Sequence, residues 1–129
     1  MKSRFIALFS LLVFVACDNV TFSPLVGKWQ LKTVEKNGVI TPVDTVWYNF
    51  QSTSLFSLQV FDSQTGDYLA FEGTRMQKED LLSISLFFES CVDHSDWNST
   101  NRSFLIVNSS RQRLLLKSEE GYLYSFIKF

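Results

Sequence analysis

The feature that most constrains this chain is an alternation of apolar and polar residues with a period of two, held in short runs between turn residues. Trp29 and Leu31 alternate with Lys28, Gln30 and Lys32. Val46, Tyr48 and Phe50 alternate with Asn49 and Gln51, and Phe56, Leu58 and Val60 with Ser57 and Gln59. The beat continues through Leu69 to Glu72, Leu82 to Phe88, Arg102 to Val107, Gln112 to Lys117 and Tyr122 to Phe129. Successive side chains of a strand point to opposite faces, so each run predicts a half-buried strand. Aromatic residues make up 16% of the chain, and with the β-branched residues they suit a pleated surface. Trp47 interrupts the beat by placing a large ring among polar positions.

The connectors are turn chemistry: Asn37-Gly38, Ser63 to Asp67, Gln77 to Asp80, Asn108 to Ser110 and Glu119 to Gly121. Such short links pair each strand antiparallel with its neighbour, whereas a two-sheet sandwich needs longer crossovers. The prediction is an all-β, eight-stranded antiparallel up-and-down barrel, whose closure also removes exposed edges. One connector, Glu89 to Asn101, is longer than a hairpin loop and is a place for function to reside. Counting strands puts it at the end opposite the start of the first strand. Trp97 lies in it. Trp47, near the start of the second strand, is expected at that same end, so Trp47 and Trp97 are predicted to meet at an open mouth and contact a ligand or a partner.

Residues 1–16 carry a separate message. Lys2 and Arg4 precede an apolar run from Phe5 to Val15, broken only by Ser10, and Ala16-Cys17 follows. A cut before Cys17 puts the bulky Phe14 where ordinary signal peptidase needs a small residue. The arrangement fits a lipoprotein signal in which the Cys17 thiol is acylated. The run is too short to span a bilayer, which takes ~20 apolar residues. The domain reading is therefore a signal peptide over 1–16, a lipidated cysteine and tether over 17–24, and a barrel over 25–129. A protein of this kind sits in the bacterial cell envelope, at the outer membrane or cell surface, with the membrane as its partner through the anchor.

Loss of residues 1–16 removes two bases and no acid, moving the formal charge from −1 to −3. A mildly acidic domain without a basic cluster is unsuited to nucleic acid, where phosphate must be neutralised. If Cys17 is acylated, Cys91 has no disulfide partner. Cys91, Asp93, His94 and Asp96 form the densest group of reactive side chains, but a single C-x-x-H falls short of the four ligands of a closed zinc site. No orienting partner for a thiolate is legible either. The expectation is a solvated polar loop, with no metal, no cofactor and no catalytic residue.

Leu25-Val26-Gly27-Lys28-Trp29-Gln30-Leu31, with its G-x-W, and Glu35-Lys36-Asn37-Gly38 beyond it, resemble small lipocalin-like lipoproteins of Gram-negative, particularly bacteroidal, bacteria. Tyr122 to Phe129 resembles the last strand of that group. The resemblance implies a lipocalin-like barrel in which Trp29, following Gly27, plugs the closed end and a base near the last strand, here Lys128, stacks on its ring. The family's T-D-Y motif has no counterpart at its usual place. The functional expectation is non-enzymatic binding of a small apolar or amphipathic ligand inside a membrane-anchored barrel. The alternative is an accessory or structural lipoprotein with a filled barrel that acts through protein–protein contacts, inhibitor-type ones included.

Overall fold

The computed structural model describes residues 25–52 and 54–129. The signal segment, Cys17 and the tether lie outside the described residues. Among the described residues nine strands follow one another: β1 (Gly27–Lys36), β2 (Val39–Pro42), β3 (Val46–Phe50), β4 (Leu55–Asp62), β5 (Asp67–Lys78), β6 (Leu81–Leu86), β7 (Asn101–Ser109), β8 (Arg113–Ser118) and β9 (Leu123–Lys128). One four-residue helix, α1 (Cys91–His94), lies in the long β6–β7 connection. Among the described residues no helix is long and apolar enough to cross a membrane.

All neighbouring strands pair antiparallel, and β1 also pairs with β9, from Trp29 opposite Lys128 to Glu35 opposite Leu123. The sheet therefore closes into an eight-stave barrel. Nine strands make eight staves because the second stave is broken. β2 pairs with the upper half of β1, Lys36 opposite Val39 to Thr33 opposite Pro42, while β3 pairs with the lower half, Gln30 opposite Trp47 to Gly27 opposite Phe50. Proline has no N–H to donate to a ladder, and Pro42 ends β2 at the break.

The alternation places the core inside the barrel. Trp29, Leu31, Tyr48, Phe50, Phe56, Leu58, Leu82, Ile84, Phe104, Leu116, Tyr124 and Phe126 are all buried there. Asn37 and Gly38 both adopt positive φ, 53° and 82°, as a two-residue hairpin of matching twist requires. Two expectations need correction at the strand ends. The run from Leu82 ends as a strand at Leu86, leaving Phe88 exposed. β5 runs on through Thr74 to Lys78, so the turn shrinks to Glu79-Asp80. Arg75 occupies an inward position there, and its charge hides the alternation from a hydropathy reading.

Candidate functional site at the barrel mouth

The two ends of the barrel are built differently. At the closed end Trp29 is fully buried and its Nε1 donates to the Leu25 carbonyl at 2.9 Å. The Lys128 ammonium lies 5.4 Å from the centre of the Trp29 ring and donates to the Val26 carbonyl at 3.0 Å. Gly27 makes room for this lysine: a Cβ there would stand 2.6 Å from Lys128 Cε, on a backbone already at φ 132°. Arg75, also buried, donates from Nε to the Ser52 carbonyl at 2.9 Å with its guanidinium 5.0 Å from the Phe50 ring centre.

At the mouth the long connection folds inward. Ser95 Oγ donates to the Cys91 carbonyl at 2.6 Å and accepts from the Trp97 amide at 3.2 Å, which turns the chain after α1. Cys91 and Trp97 are buried as a result. The Trp97 indole enters the barrel, stacks on Phe56 at 6.3 Å, meets Tyr48 and Phe104 edge-on, and donates from Nε1 to the Tyr48 hydroxyl at 3.2 Å.

Beside it a polar knot fastens the loop to the wall. Arg102 Nη1 donates to Asp96 Oδ1 at 3.2 Å, and the Tyr124 hydroxyl donates to Asp96 Oδ2 at 2.6 Å. Arg102 Nη2 also donates to the Tyr124 hydroxyl. The guanidinium lies 4.8, 4.9 and 5.5 Å from the ring centres of Tyr124, Phe104 and Trp97. The Arg102 side chain is 9% exposed and that of Asp96 42%, so the cation belongs to the barrel and the carboxylate to the rim. Burial pushes the Tyr48 hydroxyl well above the ordinary tyrosine range, against the pull of nearby Arg102. Tyr124 shifts the same way, by burial first and then by its bond to Asp96. Outside the knot, Asn98, Ser99, Asn101, Glu119 and Glu120 border an open cleft of about 320 Å³ that reaches Arg102.

The loop is solvated over most of its length, Asp93, His94 and Asp96 being exposed as expected, but Cys91 and Trp97 are drawn inside. Burial raises the Cys91 thiol pKa, away from the thiolate that a nucleophile or metal ligand needs. His94 stacks on Phe71 at 6.1 Å. Asp96 is engaged by Arg102 and Tyr124, and the described residues contain no group of three or more metal-ligating side chains.

The pairing of Trp47 with Trp97 is overturned. Trp97 is inside the mouth, whereas Trp47 lies on the outer wall of the closed half, opposite Gln30 and one position from Trp29. Its ring meets Phe129 edge-on at 4.7 Å, and Lys28 Nζ stands 4.7 Å from its centre. The broken stave explains the error, since β2 occupies the mouth end and Trp47 starts the lower half.

Arg102, Tyr48 and Tyr124 were not singled out in the sequence. The available signal was parity: Arg102 shares its face with Phe104, Tyr48 with Phe50, and Tyr124 with Phe126. A base on the inward face of a barrel strand, next to a long loop, is a recognisable anomaly.

A family model for a lipocalin-like domain matches residues 11–129. The chain belongs to the lipocalin-like family. Its barrel is similar to the crystal structure of a lipocalin-like protein from Bacteroides uniformis, with a TM-score of 0.74 and 30% identity over 83% of this chain and all of that one. It is also similar to the structure of an uncharacterized protein from Bacteroides eggerthii, with a TM-score of 0.69 and 25% identity over 81% of this chain and 98% of that one. No curated protein matches the sequence. The chain's own loop stands in the mouth of this lipocalin-like barrel.

Proposed function

We propose that this lipocalin-like protein is a non-enzymatic binding module of the bacterial cell envelope, anchored through an acylated Cys17 at the outer membrane or cell surface. Its barrel takes up a small apolar or amphipathic molecule in place of Asp96 and Trp97. The observation that carries this reading is the loop's position: a carboxylate on Arg102 and Tyr124, with the adjoining indole among Tyr48, Phe56 and Phe104. An acidic amphiphile offers the same two parts. If the loop withdraws, it leaves behind a buried cation, two tyrosyl hydroxyls and an aromatic wall.

The latch suits reversible opening. A pair as exposed as Asp96 makes contributes ~1 kcal/mol or less, so most of the closure rests on burial of the Trp97 ring. A ligand that covers the same surface restores that burial. The cost of opening lowers the apparent affinity by the fraction of molecules that are open.

Titration of the full chain with dodecanoate by calorimetry tests the reading. Weak binding is expected for the parent, and binding at least ~10-fold tighter for Trp97→Ala, in which the competing ring is gone. Circular dichroism establishes that the variant keeps its strands. Absence of dodecanoate binding in both proteins overturns the acidic-amphiphile reading. A second reading then stands on its own observation: the interior is filled, and Phe87 and Phe88 at the start of the loop are 60% and 65% exposed. Apolar rim residues of this kind suit contact with a protein partner.

A further inference from the structure

We infer that the closed end of the barrel, on its β3–β1–β9 side, rests on an anionic bilayer surface and holds the mouth pointing away from the membrane. The inference depends on the anchored reading above. If Cys17 is acylated, seven residues of chain lie between it and Leu25, and the eight steps span at most roughly 28 Å. Leu25 is packed under Trp29 at the closed end, so the anchor draws that end toward the lipid.

What lies beside Leu25 fits an interface between water and acyl chains. Trp47 and Phe129 form an edge-on pair on the outer wall, and Phe129 is 82% exposed. Val26 and Ile127 next to them are exposed as well. Lys28 Nζ lies within 4.7 Å of the Trp47 ring centre and 5.6 Å of that of Phe129. Aromatic rings flanked by lysines settle at the headgroup level, where the ring is half wet and the base meets phosphate.

Charge divides along the same axis. Arg113 pairs with Ile127, and the Arg111 turn is tied to β9 by the Lys128 amide, which donates to the Gln112 carbonyl at 2.9 Å. Lys28 therefore stands on the aromatic pair, while Lys128, Arg111 and Arg113 lie at the same end, on β9, the turn before β8 and β8. Glu79 and Asp80 share this end but sit on the β5–β6 turn, across the barrel from β1. The mouth-end connections instead carry Asp62, Asp67, Glu89, Asp93, Glu119 and Glu120. An anionic leaflet attracts juxtamembrane bases, at ~1 kcal/mol for each near the surface, and repels carboxylates. Lys36 and Lys117 stand among the mouth-end carboxylates, but acid is in excess at that end. A net acidic domain still orients, because Lys28, Lys128, Arg111 and Arg113 lie together on the β1–β9–β8 side of the closed end. Cargo of the mouth would then be exchanged with the aqueous side.

The test uses the acylated full chain reconstituted into vesicles of equimolar phosphatidylcholine and phosphatidylglycerol, with acyl chains brominated near the glycerol. Flotation reports anchoring, and quenching of tryptophan emission by bromine reports which ring touches lipid. The parent and Trp97→Phe are expected to float and to be quenched. Trp47→Phe is expected to float equally but to lose the quenching, and Lys28→Glu with Arg113→Glu to float with reduced quenching. Flotation of the parent without quenching overturns the orientation and leaves the anchor standing, as does quenching that survives Trp47→Phe and disappears in Trp97→Phe. Failure of the parent to float overturns the anchor and the orientation together.

Discussion

At position 29 the indole fills the floor of the barrel, its N–H satisfied by the Leu25 carbonyl and its face covered by Lys128. Removing a buried ring of this size typically costs ~3–5 kcal/mol, comparable to the whole stability of a small domain. Trp29→Ala is therefore expected to unfold or nearly unfold the protein in chemical denaturation. Lys28→Ala, one position away, loses only cation–ring contacts on the outer wall and is expected to cost within ~1 kcal/mol. Equal losses would mean that the inward face of β1 has been misassigned. Trp29 was legible as an inward residue from the alternation of β1, and its pairing with Lys128 at the floor came from the family resemblance of the G-x-W and of the last strand. Arg75 and Arg102 were passed over because a base on an inward position reads as polar surface until its partners are known. Ser52 and Phe50 for one and Tyr124 for the other come from remote parts of the chain, and Asp96, six residues from Arg102, reaches it only through the fold of an aperiodic loop.

At the level of elements, the hairpins show how far local chemistry reaches. Asn37-Gly38 supplies two positive-φ residues with little strain, but the Glu79-Asp80 turn places a glutamate at φ 56°. A non-glycine residue there carries ~1–2 kcal/mol of strain, partly offset by the greater freedom of glycine in the unfolded chain. Glu79→Gly is expected to raise stability by ~0.5–1 kcal/mol, seen as a higher denaturation midpoint at unchanged slope; a lower midpoint would show that the side chain holds the turn. The strands themselves were readable, and eight runs correspond to eight staves. Less readable was the division of the second stave into β2 and β3. Pro42 was visible, but its effect depends on which β1 residues stand opposite, and that is a matter of register. The same break moved Trp47 from the mouth to the closed half.

Across the whole molecule, Tyr48 and Tyr124 join the barrel wall to the inserted loop, and both titrate above the ordinary tyrosine range because they are buried. The folded state then holds protons that the unfolded chain releases from about pH 10 upward. Their contribution is complete below that pH and is lost as pH rises beyond it. Denaturant midpoints are expected to stay level up to about pH 10 and then to fall as tyrosinate absorbance appears in the same transition. A midpoint that holds steady through the alkaline range would show that neither hydroxyl depends on the fold. Strand faces, hairpin positions and the expectation of a barrel came from the sequence by itself, because a period of two and a turn dipeptide are properties of neighbours in the chain. The Trp29 floor came through the family resemblance of its G-x-W. Only the tertiary structure decided that Trp97 enters among Tyr48, Phe56 and Phe104, that Asp96 meets Arg102 and Tyr124, and that Trp47 lies with Lys28 and Phe129 on the opposite half. Those contacts depend on barrel closure, on the broken stave and on an aperiodic loop whose burial is settled by residues tens of positions away.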